Sequence, residues 1–456
     1  VNPDGTPHPV PEPNPVTGRT LNVVDFGADP ADNDQDDAAA IQTAIAAAQP
    51  GDEVYFPNGI YNLLVALPND QNTHLELKSG VNLRGESEEG AVLKASLEGQ
   101  STKLAKAFAK SNITISHLTF TSDWNGQYSS DPKVKNPDVG GPQYLLYLAD
   151  SGGKPSSYIT VEHVTFEKFE RMAVRIEESN NIVVRASTFR NATDVAGGGA
   201  GYGVSIQGVP KTDRLGFEND TYFNVVEDCV FEGPYIRHGV LIQYVAHNNL
   251  IRNNVFRGTV LDAIDLHGED EYLNEITGNV ISDVLTGAGI GVGNTGGTAP
   301  SNHDASGPFN YIHHNTIINS REGIKVHMGS PDTVIENNTI TGTTIPNARG
   351  IYLLNAPRTV VRNNTIEENT ADGFWGIYLD HDEGDPNTED HAGRGDPKDI
   401  VITGNRITGN TNGVYIGETA TGIVLKDNDI SGNLVEDLIV LGSLADPVDL
   451  SQGTFE

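Results

Sequence analysis

From about residue 112 one strand-turn-strand unit returns every 23 to 26 residues or so wherever no long loop intervenes. SYITVEHVTF, NNIVVRASTF, YFNVVEDCVF, HNNLIRNNVF, EYLNEITGNVI, FNYIHHNTI, PDTVIENNTI, PRTVVRNNTI, KDIVITGNRI and TGIVLKDNDI align as ten versions of it. That period is too long for a hairpin repeat and suits a solenoid whose coils each bury an apolar face against the next. The expected class is all-β: a single-stranded right-handed parallel β-helix with an N-terminal capping α-helix.

An asparagine ends the first strand of many units: Asn254, Asn279, Asn315, Asn338, Asn364, Asn405 and Asn428. Asparagine tolerates the left-handed backbone of a sharp turn and can bond its counterpart one coil away, so the column is expected to form an internal ladder. Cys229 falls in the same column and is therefore expected to be a core thiol rather than a nucleophile. Each unit carries a second strand, from AVRIE and GVSIQ to GIYLD and GVYIG, in which inward Val, Ile and Leu alternate with outward side chains. In coil order the outward residues are Arg175 and Glu177, Ser205 and Gln207, Leu241 and Gln243, Asp265 and His267, Gly291 and Gly293, Lys325 and His327, Tyr352 and Leu354, Tyr378 and Asp380, Tyr415 and Gly417. Stacked about 4.8 Å apart, they form a stripe suited to a chain molecule.

Residues 1–20 are Pro-rich and read as an extended leader. Residues 21–456 read as one catalytic β-helix domain, with a cap over 21–60 and regular coils from about 112 to 442. An Ala-rich helix from about Asp36 to Ala48 places Ala39, Ile41, Ala44 and Ile45 near one face, where it could plug an open solenoid end. Insertions at 123–156, 191–222, 295–309 and 381–398 are expected to wall the stripe. A start at Val1, with no signal-like or membrane-spanning apolar run, fits a processed, secreted bacterial protein that is monomeric. The single cysteine rules out a disulfide-stapled fold. A formal charge of −33 disfavours nucleic acid as a partner, and no membrane partner is expected.

Against 62 acidic residues the chain has only 29 Lys and Arg, yet Arg171, Arg175, Arg237, His238, His267, Arg321, Lys325, His327 and Arg349 gather along the stripe. This favours an anionic ligand; the alternative is that these charges pair with Glu177, Asp265, Glu269 and Asp270. RHGVLIQY and, one coil later, DAIDLHGEDEY are the densest segments. For a uronic-acid chain, β-elimination needs a group to neutralise the C6 carboxylate, a base for the C5 proton and an acid for the leaving oxygen. Arg237 suits the first role, and His238, His267, Lys325 or Tyr244 the others. Arg175, Gln207, Gln243, Asp265, His327, Arg349, Tyr352 and Tyr378 are the expected substrate contacts, although a Tyr column also stabilises a sheet without any ligand. Asp262, Asp265, Glu269 and Asp380 could instead serve an inverting glycosidase, with carboxyls about 6.5 to 9.5 Å apart. No cofactor is required, and Ca²⁺ on the same carboxylates is an alternative.

The segment NVVDFGADPADNDQDDAAAIQTAIAAAQPGDEVYFPNGIYNL resembles the N-terminal cap of the pectate-lyase-like β-helix superfamily, which includes the mannuronan C5-epimerase catalytic modules. The resemblance implies the fold and action on polysaccharides. The epimerases' Asp-Pro-His-Asp signature is absent, as is the polygalacturonases' full Asn-Thr-Asp, Asp-Asp and Gly-His-Gly set, of which Gly-Ile-Lys at 323–325 resembles only the last element. Where family 6 lyases carry a Lys and an Arg one coil apart, this chain has Gln243 and His267. In overall character it resembles the alginate lyases of polysaccharide lyase family 31. The expected function is a secreted lyase acting on an acidic polysaccharide, alginate first. The alternatives are an inverting hydrolase and a noncatalytic carbohydrate-binding β-helix.

Overall fold

The computed structural model describes residues 6–209, 221–294 and 303–445. They fall into two compact units, one containing residues 9–209 and 221–241 and the other residues 6–8, 242–294 and 303–445. Both are stacks of parallel strands, and the chain folds as a right-handed parallel β-helix.

In the second unit the alternation of the sequence becomes three continuous inward columns. Ile251, Ile276, Ile312, Ile335, Val361, Ile402 and Leu425 are in register, each strand hydrogen-bonded to the next. Phe256, Ile281, Ile317, Ile340, Ile366, Ile407 and Ile430 form another column. Ile264, Ile290, Ile324, Ile351, Ile377, Val414 and Leu438 form the third. Most of these side chains are fully buried. β-Branched residues suit this position because their restricted χ1 matches the pleat and each methyl packs on the coil above and below.

Between the first two columns runs the asparagine ladder. Both the backbone N–H and the side-chain amide of Asn254 donate to Asn279 Oδ1 at 3.0 Å. The pattern continues through Asn315, Asn338, Asn364 and Asn405 to Asn428. The left-handed turn residue is not the ladder asparagine, as expected from sequence, but the residue before it: Asn253, Gly278, His314, Asn337, Asn363, Gly404 and Asp427 all have φ between 53° and 67°. That residue turns the chain and aims the next amide inward. Two further ladders run alongside, Asn249–Asn274–Asn310 and Asn369–Asn410–Asn433.

The first unit reaches the same stacking by other means. Its strands are longer, with Ser111–Ser122 and Ser157–Phe166 continuous through the turn position. Stacking already begins at Thr20–Asn22, which pairs with Glu53–Phe56 and through it with Asn82–Gly85. Coils therefore start well before residue 112. Phe120 meets Phe166 edge-on at 5.4 Å, and Phe166, Phe189 and Phe231 then stack nearly parallel with ring centroids 5.1 and 4.7 Å apart. Cys229 is fully buried near the Val184 and Glu227 carbonyls, and burial pushes its thiol well above the ordinary range. The predicted helix is Ala38–Ala47, with Ile41, Ala44 and Ile45 buried as expected, but with Ala38 buried in place of Ala39, which is exposed. Asp37 ties its start to the coil, accepting from the Asn62 and Asp29 backbone N–H groups at 2.8 Å.

Residues 6–18 have almost no regular structure, yet they are docked. Asn14 bonds Asn82 and Thr114, and within the second unit His8 lies buried with Nε2 3.0 Å from Glu275. No helix among the described residues is long and apolar enough to cross a membrane.

Candidate functional site

The outward stripe exists in each unit. In the first, Lys106, Tyr147, Arg175 and Ser205 are in register. In the second, the order is Asp265, Gly291, Lys325, Tyr352, Tyr378 and Tyr415.

The second unit gathers a buried network of acids and imidazoles at the start of this column. Asp265 is fully buried and its Oδ2 lies 2.6 Å from His267 Nδ1. Burial pulls the imidazole pKa down, but the Asp265 charge and hydrogen bond outweigh it and raise it to about 9. His267 is therefore a cation at neutral pH. Its ring packs edge-on to that of His303 at 4.2 Å, and His303 Nδ1 faces Glu269 Oε1 at 2.8 Å. Gln243 donates to the other Glu269 oxygen at 3.1 Å. The Glu269 backbone N–H donates to Glu271 Oε1 at 2.9 Å, and burial with the Glu269 charge pushes Glu271 well above the carboxylate range.

Asp262 is the second key carboxyl. Burial first, and then the charge of Asp265, raise its pKa to about 7, against the stabilising Ala288 N–H. Oxygens of the two aspartates lie within 4.8 Å of one another. A Cβ at Gly291 would sit 2.6 Å from Asp262 Oδ2 and 3.8 Å from Asp265 Oδ1. The glycine thus leaves a notch that both carboxyls face, and Lys325 follows Gly291 in the column. Lys325 Nζ lies 3.7 Å from Glu322 and 5.8 Å from the Tyr352 ring centroid.

The remaining sequence candidates occupy varied surroundings. Arg237 Nη1 donates to the Val195 and Pro132 carbonyls at 2.8 and 3.3 Å, so it clamps two insertions together. Arg175 lies between Tyr144 and Tyr147, donates to the Tyr144 hydroxyl at 2.8 Å and pairs with Glu177 at 3.0 Å. Gln207 is buried and turned along its strand, donating to Ser205 at 2.7 Å. His238 is buried with its ring edge-on to Tyr202. Tyr244 is half-buried and left-handed at φ 58°, just past strand His238–Gln243. His327 Nε2 sits 2.8 Å from the Gly293 carbonyl, and burial together with the Lys325 charge keeps it neutral. Arg349 lies over the Tyr378 ring at 4.3 Å and donates to three carbonyls, those of Asn347, Ala348 and Gly373.

The stripe is therefore not a plain cationic strip. Buried acids answer its bases, which realises for Arg175 and His267 the pairing raised from the sequence as the alternative. Beside these the structure brings in His303, Asn294, Glu271 and Asp382. Asn294 Nδ2 lies 2.9 Å from His267 Nδ1, and Asp382 accepts from the Met328 backbone N–H at 2.7 Å and sits 3.9 Å from His327. All but Glu271 stand in or beside the 295–309 and 381–398 insertions, where periodicity gives no signal; Glu271 lay in the DAIDLHGEDEY run. The parts of the expected walls at 210–220 and 295–302 lie outside the described residues.

The family model described as right handed beta helix region matches residues 111–340 and 262–443, and one described as rhamnogalacturonase A/epimerase, pectate lyase-like, matches residues 20–136. The chain is similar to plasmin and fibronectin-binding protein A of Streptococcus pneumoniae, 30% identical over 184 residues. The match covers 37% of this chain and only 24% of that relative's length. Among solved structures, the mannuronan C-5 epimerase AlgE6 A-module of Azotobacter vinelandii aligns over 94% of this chain and 100% of its own, at 20% identity and TM-score 0.53. An exopolygalacturonase from Thermotoga maritima aligns over 92% and 94%, at 12% identity and TM-score 0.57. These likenesses are of fold, and with the match to most of the coils they lead to one conclusion: the chain belongs to the right-handed β-helix family.

Proposed function

We propose that this protein is a secreted enzyme that cleaves an acidic polysaccharide, alginate first, by β-elimination at the Gly291 notch. The observation that carries the reading is that notch itself. It is a gap in the stripe faced by one carboxyl held protonated to about pH 7, Asp262, and by one carboxylate, Asp265, that fixes a protonated imidazole. A neutral carboxylic acid and an imidazolium are both donors toward a uronate carboxylate, and neutralising that carboxylate makes the C5 proton acidic. Lys325, next along the column, is charged and is a further cation for that carboxylate, and Tyr244 of the same unit is the candidate for taking the C5 proton and returning it to the leaving oxygen. The two solved structures named above are a mannuronan epimerase and an exopolygalacturonase, both enzymes of polyuronates, which supports this substrate class. Ca²⁺ is the one ion the aspartate pair invites, because a divalent cation would relieve the like-charge repulsion that raises Asp262.

Hydrolysis is the second reading, favoured by the same protonated Asp262, which could act as general acid. The two aspartates approach within 4.8 Å, short of the roughly 6.5 to 9.5 Å that leaves room for an inverting water. Incubation with alginate, polygalacturonate and glycosaminoglycans separates the readings. New ultraviolet absorbance from an unsaturated uronate is the expected result. Reducing ends without that absorbance indicate hydrolysis, and no product from any polymer overturns both.

A further inference from the structure

Beyond the notch, the same outward column changes character. After Lys325 it becomes Tyr352, Tyr378 and Tyr415, consecutive in register. Trp375, in the neighbouring outward position, is in register with Arg349 on one side and Asn412 on the other. Tyr378 and Tyr415 stack nearly parallel, with centroids 4.5 Å apart and planes 12° apart. Trp375 lies 5.4 Å from Tyr415 and 6.2 Å from Tyr378, and Tyr352 lies 5.7 Å from Tyr378. All four rings are half-buried, unlike the fully buried Asp265 a few coils away.

Four adjoining aromatic side chains left partly in water make an apolar surface that a soluble protein ordinarily covers. What is fixed around them is polar: Arg349 over one face of the group, Lys325 at its edge, and Asp380 accepting from the Tyr378 hydroxyl at 3.2 Å. Flat rings bordered by cations and hydroxyls match an acidic sugar, which has an apolar ring face and a carboxylate at its edge. The platform continues the column that holds the notch, so one extended chain could occupy both. From Gly291 to Tyr415 is four coil steps, about 19 Å at roughly 4.8 Å each.

We infer that Trp375, Tyr352, Tyr378 and Tyr415 form a stacking platform that holds an acidic oligosaccharide on the side of the notch toward the C-terminal coils. This rests on the polysaccharide reading above but not on the bond-breaking step. The chain has only two tryptophans, and Trp124 is nearly buried, bonded through Nε1 to the Asp138 carbonyl at 2.6 Å. Trp375 emission therefore reports the platform.

The experiment titrates the full-length protein carrying Asp265→Asn, so that substrate is not consumed, with mannuronate and galacturonate oligomers and with neutral cello-oligosaccharides. A saturable change in emission with a uronate series is expected, lost in Trp375→Phe. Tyr378→Ala and Tyr415→Ala should each weaken binding roughly three- to tenfold, the range of one aromatic contact, at unchanged melting temperature. No response to any uronate oligomer overturns the platform, even if the wild-type protein cleaves polymer. An equal response to neutral oligomers overturns its acidic preference. Tyrosine variants that melt earlier but bind normally show a ladder that serves only the sheet. Binding with no cleavage by wild type keeps the platform and removes the lyase.

Discussion

The coils between Asn254 and Asn428 present two columns that differ in one respect. At the inner turn nearly every coil offers the same residue, asparagine, bonded identically to its neighbours. On the outer face no residue holds for more than a few coils: Asp265, Gly291 and Lys325 give way to three tyrosines. A side chain that serves the fold must meet its own copy above and below, so repetition marks structure. Chemistry needs unlike groups side by side, so broken repetition marks the site.

The sharpest way to break this contrast is to change one member of each column and compare the losses. Asp265→Asn should lower polymer cleavage about a thousandfold, equivalent to about 4 kcal/mol in the barrier. The same change removes the partner that holds His267 charged. A raised histidine pKa gives stability that is complete below the unfolded value of about 6.5 and fades as pH rises through about 9. The melting temperature of wild type should thus fall across that window, and that of Asp265→Asn should not. An active Asp265→Asn enzyme would move the centre elsewhere.

Asn338→Ala should do the reverse. It removes donors to Asn364 Oδ1 and the Ile312 carbonyl and the acceptor of two Asn315 N–H groups, all buried. Leaving such groups unpaired should cost about 3 kcal/mol of stability by urea or thermal unfolding. Cleavage per folded molecule should stay within about twofold, since no chemistry is touched.

Asp262→Asn sharpens the outer column instead. With Asp262 acting as a protonated donor, activity falls as pH rises through about 7, where wild type loses that proton. The amide keeps a donor in place, so a lyase should lose no more than about tenfold and should lose that limb of its pH profile. A hydrolase, deprived of its general acid, should lose about 10² to 10⁴. The smallest effect should come from Cys229→Ser, a near-isosteric change costing about 1 kcal/mol or so at a fully buried position. Its thiol should resist alkylating reagents until the protein unfolds.

The same contrast explains what the sequence made legible. Columns could be read because a two-residue alternation and a coil-length period place residues without any knowledge of loops. The turn could be placed only to within one residue, since both the left-handed position and the ladder position favour asparagine, as Asn253 and Asn254 show. Within the site, Asp265, His267 and Lys325 were visible on their strands. His303 was not, because it arrives from an insertion, and neither was the fate of Arg237, whose partners Pro132 and Val195 lie in two other insertions. Pairing between a column and a loop leaves no periodic trace.

The ladders also bear on how such a chain can change its length. An asparagine whose amide feeds the coil on one side and whose carbonyl oxygen is fed from the other presents matching edges, so a whole coil can be gained or lost and the cut ends still fit. A fractional coil leaves donors facing donors. Among relatives that keep the ladder, the outer face should therefore lengthen or shorten in whole steps of about 4.8 Å, each adding or removing one row of contacts for a bound polymer.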